Sequence, residues 1–317
     1  MKHIVILILL TFWNYSTAQK PSPKSITKVS SLEITTLSTM LANQGIGEWG
    51  YSALIEVDGT KILFDTGNRP ETVLQNAKDL GIDLSDVEHV FLSHHHGDHT
   101  GGLITLREHL KKVNPKALSK VHVGNGMFSQ RVGYKNQMLS MRKELEADGV
   151  EFIEYTEQQE IFPGVWITGP VERIHDERNW SGSGKIITES GVIEDNIPED
   201  QSMVIATADG FVLISGCGHA GIVNTIEQIR SDIYEDKVLA AIGGFHLFQA
   251  SEEHLEWTAN KLMEFGVANL NGAHCTGIDA LYALRELMEL DRSQAVVGSV
   301  GDHFDLQNGI SAGLIAK

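Results

Sequence analysis

The sequence is poor in cysteine, proline and positive charge. Two Cys in 317 residues exclude a scaffold stapled by several disulfides and a four-cysteine zinc module. Seven Pro beside 31 Gly exclude collagen-like and Pro-rich disordered chains. Lys and Arg number 25 against 42 Asp and Glu, a net charge of −17. With nothing to build a basic face, no nucleic-acid partner is expected. An anionic small substrate stays compatible, because a bound cation can dominate the local field. Long apolar runs are also missing. The best candidate, Ile4–Leu10 extended by Phe12 and Trp13, is about ten residues, against the roughly 20 that span a bilayer. Neither a Gly-x-Ser-x-Gly elbow nor a P-loop is present, so a metal-free serine hydrolase or an NTPase lacks support.

What is there begins with an address. Lys2 and His3, the aliphatic run, and Ser16-Thr17-Ala18 before Gln19 read as a secretory signal over residues 1–18. The expected location is therefore the periplasm or outside the cell, with no stable membrane insertion after cleavage. Residues 19–30 read as a flexible leader, and residues 31–317 as one domain. No Cys follows the signal, which speaks against a lipoprotein anchor.

Strand and helix signals alternate along the rest. Tyr51–Val57 and Lys61–Phe64 flank Asp58-Gly59, and Ser202–Ala208 and Phe211–Ser215 flank Asp209-Gly210; both are hairpin signals. Helical spacing marks Glu71–Leu80, Leu103–Lys112, Gln137–Ala147, Ile222–Ser231, Glu252–Phe265 and Ile278–Leu290. Compact β-rich runs fall at Leu32–Leu37, Val87–Leu92, Lys120–Val123, Glu151–Tyr155, Val165–Thr168, Val238–Ile242, Ala268–Leu270 and Ala295–Val300. Residues 175–200 are polar and weakly periodic, and read as a surface loop or lid. Hairpins mixed with strand–helix units predict sheets covered by helices, not a purely parallel order.

Histidine is the informative residue. Five of 14 lie between positions 89 and 99, and residues 93–102 read Ser-His-His-His-Gly-Asp-His-Thr-Gly-Gly. This segment follows the apolar strand, and His94 and His96, two apart, face the same way in extended geometry. Gly97 permits a sharp turn into Asp98 and His99. Imidazoles with one carboxylate suit Zn2+, and also Mn or Fe. Two groups of ligands in one loop suit two metals side by side. His95 is expected to point away and His89 to lie at the wrong end of the strand. His109, His122, His175, His254 and His303 are read as core or surface residues, and Trp49, Trp166 and Trp180 as core aromatics, with the lining of a pocket as the alternative.

His94-x-His96-x-Asp98-His99, with Phe64-Asp65-Thr66-Gly67 at an earlier strand end, resembles the signature of metallo-β-lactamase-fold metallohydrolases. The resemblance implies a four-layer αββα sandwich, α/β in class, with the metals at one edge of the β core. Further segments are Gly216-Cys217-Gly218-His219-Ala220-Gly221, Gly243-Gly244-Phe245-His246 and Ala273-His274-Cys275-Thr276-Gly277. Together they resemble the branch that includes the 7,8-dihydropterin-6-methyl-4-(β-D-ribofuranosyl)aminobenzene-5′-phosphate synthases. The resemblance implies His94, His96 and His219 on a first metal, and Asp98, His99 and His274 on a second. The chain departs from the common pattern at Cys217, where others carry a bridging Asp. Cys217 is open between ligand, neighbour of a ligand and small packed residue, and it can pair with Cys275 in an oxidising compartment. His246 is read as a substrate contact and Asp65 as a residue that orients a ligand imidazole or the loop backbone.

The function expected from this equipment is a secreted metal-dependent hydrolase. One or two divalent cations activate water against an ester, lactone, amide or phosphoester bond of a small molecule, with Asp98 handling the water or its proton. A pterin-linked phosphoribosyl synthase and a non-catalytic metal-binding protein are the alternatives.

Overall fold

The computed structural model describes residues 26–188 and 191–315. The signal over residues 1–18 and most of the leader lie outside the described residues.

Two mixed sheets face each other. The first runs, edge to edge, Gly309–Ser311, His303–Asp305, Leu32–Ser38, Ser52–Val57, Thr60–Phe64, His89–Phe91, Lys120–Gly124 and Glu151–Tyr155. The second runs Ala295–Val297, Leu270–Gly272, Val238–Gly243, Gly210–Ser215, Met203–Thr207, Val165–Ile167 and Gln159–Phe162. Each sheet is antiparallel in one half and parallel in the other.

Period-two alternation builds the layers. Ile55, Ile62, Phe64 and Phe91 of the first sheet meet Ile205, Val212, Ile214 and Ile242 of the second in one inner core. Their alternates Leu54, Leu63 and Val90 turn outward. They pack under the helices Thr72–Asp79, Leu103–Leu110 and Gln137–Ala147, which present Val73 and Ala77, Leu103 and Leu106, and Met138, Met141 and Leu145 at three- and four-residue spacing. Val204, Leu213 and Ala241 do the same on the other side. They lie under Ile222–Gln228, Glu252–Glu264 and Ile278–Leu287. The central strands are buried on both faces, which is why they read as continuous apolar runs. The result is the αββα sandwich in a single domain.

Both hairpin signals form as expected. Asp58 and Gly59 both have positive φ (44° and 81°), the conformation that a two-residue hairpin turn matching the sheet twist requires. The segment 175–200 differs from a plain loop. It contains a small hairpin, Lys185–Thr188 with Gly191–Glu194, outside both main sheets. Among the described residues, no helix is long and apolar enough to cross a membrane.

Candidate metal centre

The site lies past the C-terminal ends of strands that run parallel to a neighbour. Asp65 follows Thr60–Phe64, and the loop 93–99 follows His89–Phe91. Cys217 and His219 follow Gly210–Ser215, His246 follows Val238–Gly243, and His274 follows Leu270–Gly272. Five strand ends from two sheets thus empty into one place, the position where open α/β sheets bind ligands. Three of these residues pay a backbone strain for it. Asp65, His246 and His274 have φ of 51°, 52° and 47°, a region that costs non-glycine residues free energy and that clusters at functional sites. A Cβ on Gly243 would run into the carbonyl of Ser215, and one on Gly216 into Ser93 and Asp65. Glycine there lets the loops approach each other.

The imidazoles converge by ring nitrogens, and for His219 and His94 the partner of Nδ1 leaves Nε2 unprotonated. His219 Nδ1 donates to the carbonyl of Asn179 at 2.5 Å, so its Nε2 carries a lone pair. Ser93 donates its hydroxyl to Asp65 (2.7 Å) and accepts from His94 Nδ1 (2.9 Å), which leaves a lone pair on His94 Nε2 as well. These two Nε2 atoms are 3.2 Å apart, and His96 Nδ1 lies 3.0 Å from His94 Nε2. The lone pairs of His94 Nε2 and His219 Nε2 repel at such a distance unless an electrophile lies between them. Three nitrogens held tetrahedrally at zinc–nitrogen distance sit about 3.3 Å apart, close to what is found. Burial, then the neighbouring imidazoles, holds His94 and His219 well below the ordinary histidine value. His96 is pushed down to about 3, chiefly by burial. All three therefore present neutral, ligating rings at neutral pH.

Asp98, His99 and His274 form a second group. His274 Nε2 lies 3.4 Å from Asp98, and neither ring nitrogen of this buried histidine makes a hydrogen bond. His99 Nδ1 donates to Asp65 at 2.7 Å, and its Nε2 lies 3.2 Å from Cys217 Sγ. Burial opposes charge on His99, but the carboxylates of Asp65 and Asp98 outweigh it and push the ring up to about 9. Burial likewise opposes ionisation of Asp98, yet His99 and His274 hold its carboxyl below the usual carboxylate range. The two carboxylates thus create a seat for positive charge, which a proton or a metal ion can fill. The donor set and the orphaned nitrogens fit a divalent metal.

The remaining sequence expectations are placed as follows. Asp65 stands behind His99 and Ser93. Cys217 is within ligand reach of His94 and His99. Cys217 and Cys275 are buried free thiols, 3.4 Å apart. His246 lines the adjoining cavity with His96 and His219, its Nδ1 buried and unpartnered. His95 turns away onto Glu199 at 2.5 Å, and His89 pairs with His122. Two aromatics differ from the core role expected of them. Trp49 is 44% exposed, with its ring over His274 and against Phe248. Trp180 lines the cavity. Phe248, at the same rim, was not singled out by sequence. The cavity is about 860 Å³, a size that suits a small metabolite.

Comparison with known proteins agrees with this geometry. Residues 50–217 match the family described as the metallo-beta-lactamase superfamily. The 7,8-dihydropterin-6-methyl-4-(beta-D-ribofuranosyl)-aminobenzene-5'-phosphate synthase of Methanocaldococcus jannaschii is 30% identical over 290 residues, 87% of this chain and 98% of that protein. The solved structure of Tm1679, a metal-dependent hydrolase of the beta-lactamase superfamily, superposes with a TM-score of 0.67 at 25% identity, covering 86% of this chain and 98% of that one. The metallo-beta-lactamase fold protein YhfI from Bacillus subtilis shares the fold at 12% identity and a TM-score of 0.54, covering 87% and 99%.

Proposed function

The chain belongs to the metallo-beta-lactamase superfamily, and on that premise we propose that it is a metal-dependent hydrolase acting on an ester, lactone, amide or phosphoester bond of a small molecule. One observation carries the reading: ring nitrogens of His94, His96 and His219, two of them with lone pairs fixed by their partners, converge beside an open cavity. In this reading these three hold one divalent cation. Asp98, His99 and His274 hold a second, with Cys217 in reach. Zinc suits the set, as do manganese and iron. When bound, such cations lower the pKa of water and polarise the oxygen of the bond to be cleaved. The protein's own part is positional. Asp98, ionised at neutral pH and partly exposed, orients the attacking water and takes up its proton. His246 offers a ring nitrogen to the substrate, and Trp180, from the segment 175–200, shapes the cavity that selects it.

The long match to the methanogen synthase favours a second reading, in which the same centre runs a pterin-linked transfer. Elemental analysis of the purified protein, with an ester, lactone, β-lactam and phosphodiester panel, tests the first reading. About one to two metals per chain are expected, with turnover that falls to background in His96→Ala. Retained turnover in that variant would refute the proposed chemistry. Product analysis with a phosphoribosyl donor separates transfer from hydrolysis.

A further inference from the structure

We infer that Glu199 and Asp200, with Gln201, form a clamp that positions both metal-binding loops from behind; the inference rests on the metal reading above. These consecutive polar residues are almost completely buried, an unusual place for two carboxylates and an amide; Glu199 is bonded at its carboxylate, while Asp200 and Gln201 each bond through one side-chain atom and leave Oδ1 and Oε1 without a partner. Their side chains diverge onto different parts of the centre. Glu199 accepts from His95 Nδ1 at 2.5 Å, between the two ligands His94 and His96. Asp200 accepts from the backbone N–H of Ala220 at 3.0 Å, directly after His219. Gln201 donates from Nε2 to the carbonyl of Leu92 (3.2 Å), and its backbone N–H donates to the carbonyl of Ser93 (3.1 Å). One short segment therefore ties the loop of the first sheet to the loop of the second.

The clamp is itself held. Arg131, buried, donates to both oxygens of Glu199 (2.9 and 3.0 Å) and to Asp195 (2.6 Å). The carboxylate that holds His95 is thus neutralised at its other side, as a buried charge requires. A Cβ on Gly124 would strike the carbonyl of Glu199, so the end of the strand Lys120–Gly124 wedges the clamp in place. Neither Glu199 nor Asp200 belongs to any of the groups of potential metal ligands. Their effect passes through His95 and Ala220, on the geometry at which His94, His96 and His219 meet. Partners of this kind behind a ligand commonly set metal affinity by 10–100-fold.

The test uses the full chain and Co2+ as the probe. Cobalt affinity is read by chelator competition, and the visible d–d absorption of the loaded protein reports coordination geometry. Asp200→Ala is expected to bind about 10–100-fold more weakly with an altered spectrum. Asp200→Asn keeps an oxygen for the Ala220 N–H and should stay near the parent. Should Asp200→Ala fail to fold, Gln201→Met, which removes the side-chain bond to Leu92, should weaken cobalt binding with retained far-ultraviolet circular dichroism. Parent-like affinity and spectrum in Asp200→Ala, or in Gln201→Met where it stands in, overturn the clamp and leave the metal reading intact. A parent chain that takes up no cobalt overturns the metal reading, and the clamp with it.

Discussion

The Asp65 carboxylate accepts three hydrogen bonds, and all three come from the 93–99 loop: the Ser93 N–H at 2.8 Å, the Ser93 hydroxyl at 2.7 Å and His99 Nδ1 at 2.7 Å. Through them it fixes the tautomer of His99 directly and that of His94 by way of Ser93. Removing the carboxylate frees both rings to rotate and to protonate on the wrong nitrogen. Asp65→Ala should therefore weaken metal binding by about 10–100-fold, measured by chelator competition. An unchanged constant would mean that the loop backbone alone orients the rings. The convergence of His94, His96, Asp98 and His99 was legible because they stand together at one strand end, where side-chain direction follows from spacing. His219, His274 and the place of Asp65 were reached only through the family resemblance, because they come from other strand ends far along the chain. The anchor of His219 was not legible: it is the carbonyl of Asn179, and a backbone acceptor leaves no mark in a sequence. Trp49 was misread because nothing local separates an aromatic on a rim from one in a core. What holds it out is the loop around it. There the buried Glu48 accepts from the N–H groups of Asn68 and Arg69 and from the Ser38 hydroxyl.

The helix Ile222–Gln228 begins directly behind the His219 loop, and its cap comes from far away. Glu177 accepts from the N–H groups of Val223 (3.2 Å) and Asn224 (2.7 Å), two of the donors that a helix start leaves without partners. Gly221, at φ of 95°, precedes the helix, and a Cβ there would run into the Glu177 carboxyl. The segment 175–200 is thus sewn to the core by its own glutamate. Burial outweighs the backbone donors and pushes Glu177 up to about 7. Glu177→Ala should cost about 1–2 kcal/mol in chemical denaturation, and Glu177→Gln, which keeps one of the two acceptor oxygens, should cost less. Equal losses would assign the effect to packing instead. A long-range cap explains why this segment read as a loop: its order comes from contacts dozens of residues away, not from local periodicity. The same holds for Gln159–Phe162, His303–Asp305 and Gly309–Ser311. These strands, at or next to a sheet edge, are three or four residues long, too short to show alternation. The buried central strands and the amphipathic helices were legible because each carries its own period.

For the molecule as a whole, one side of the first sheet carries a chain of titratable groups outside the candidate metal centre. His89 Nδ1 meets His122 Nε2 at 2.9 Å, and His122 Nδ1 meets the Tyr155 hydroxyl at 2.8 Å, with Phe162 of the second sheet edge-on to His89. Burial first, then the nearby His89 and Lys120, pushes His122 down to about 4, from an ordinary 6.5 in the unfolded chain. Between those values the unfolded chain holds a proton at His122 that the folded chain refuses. Stability is therefore full above pH 6.5 and is lost as the pH falls toward 4. From pH 7 to pH 5 this one group should cost about 2 kcal/mol. His89, also lowered by burial, adds to the loss in the same direction. His122→Phe fills a similar volume with a ring that does not titrate. Urea denaturation of both proteins at pH 7 and pH 5 isolates the effect, because the metal-facing histidines titrate alike in each. The variant should lose less stability on acidification than the parent by about that amount. Parallel losses would show that the sandwich edge opens to water before His122 is protonated, and that the acid limit of this fold is set at the metal centre instead.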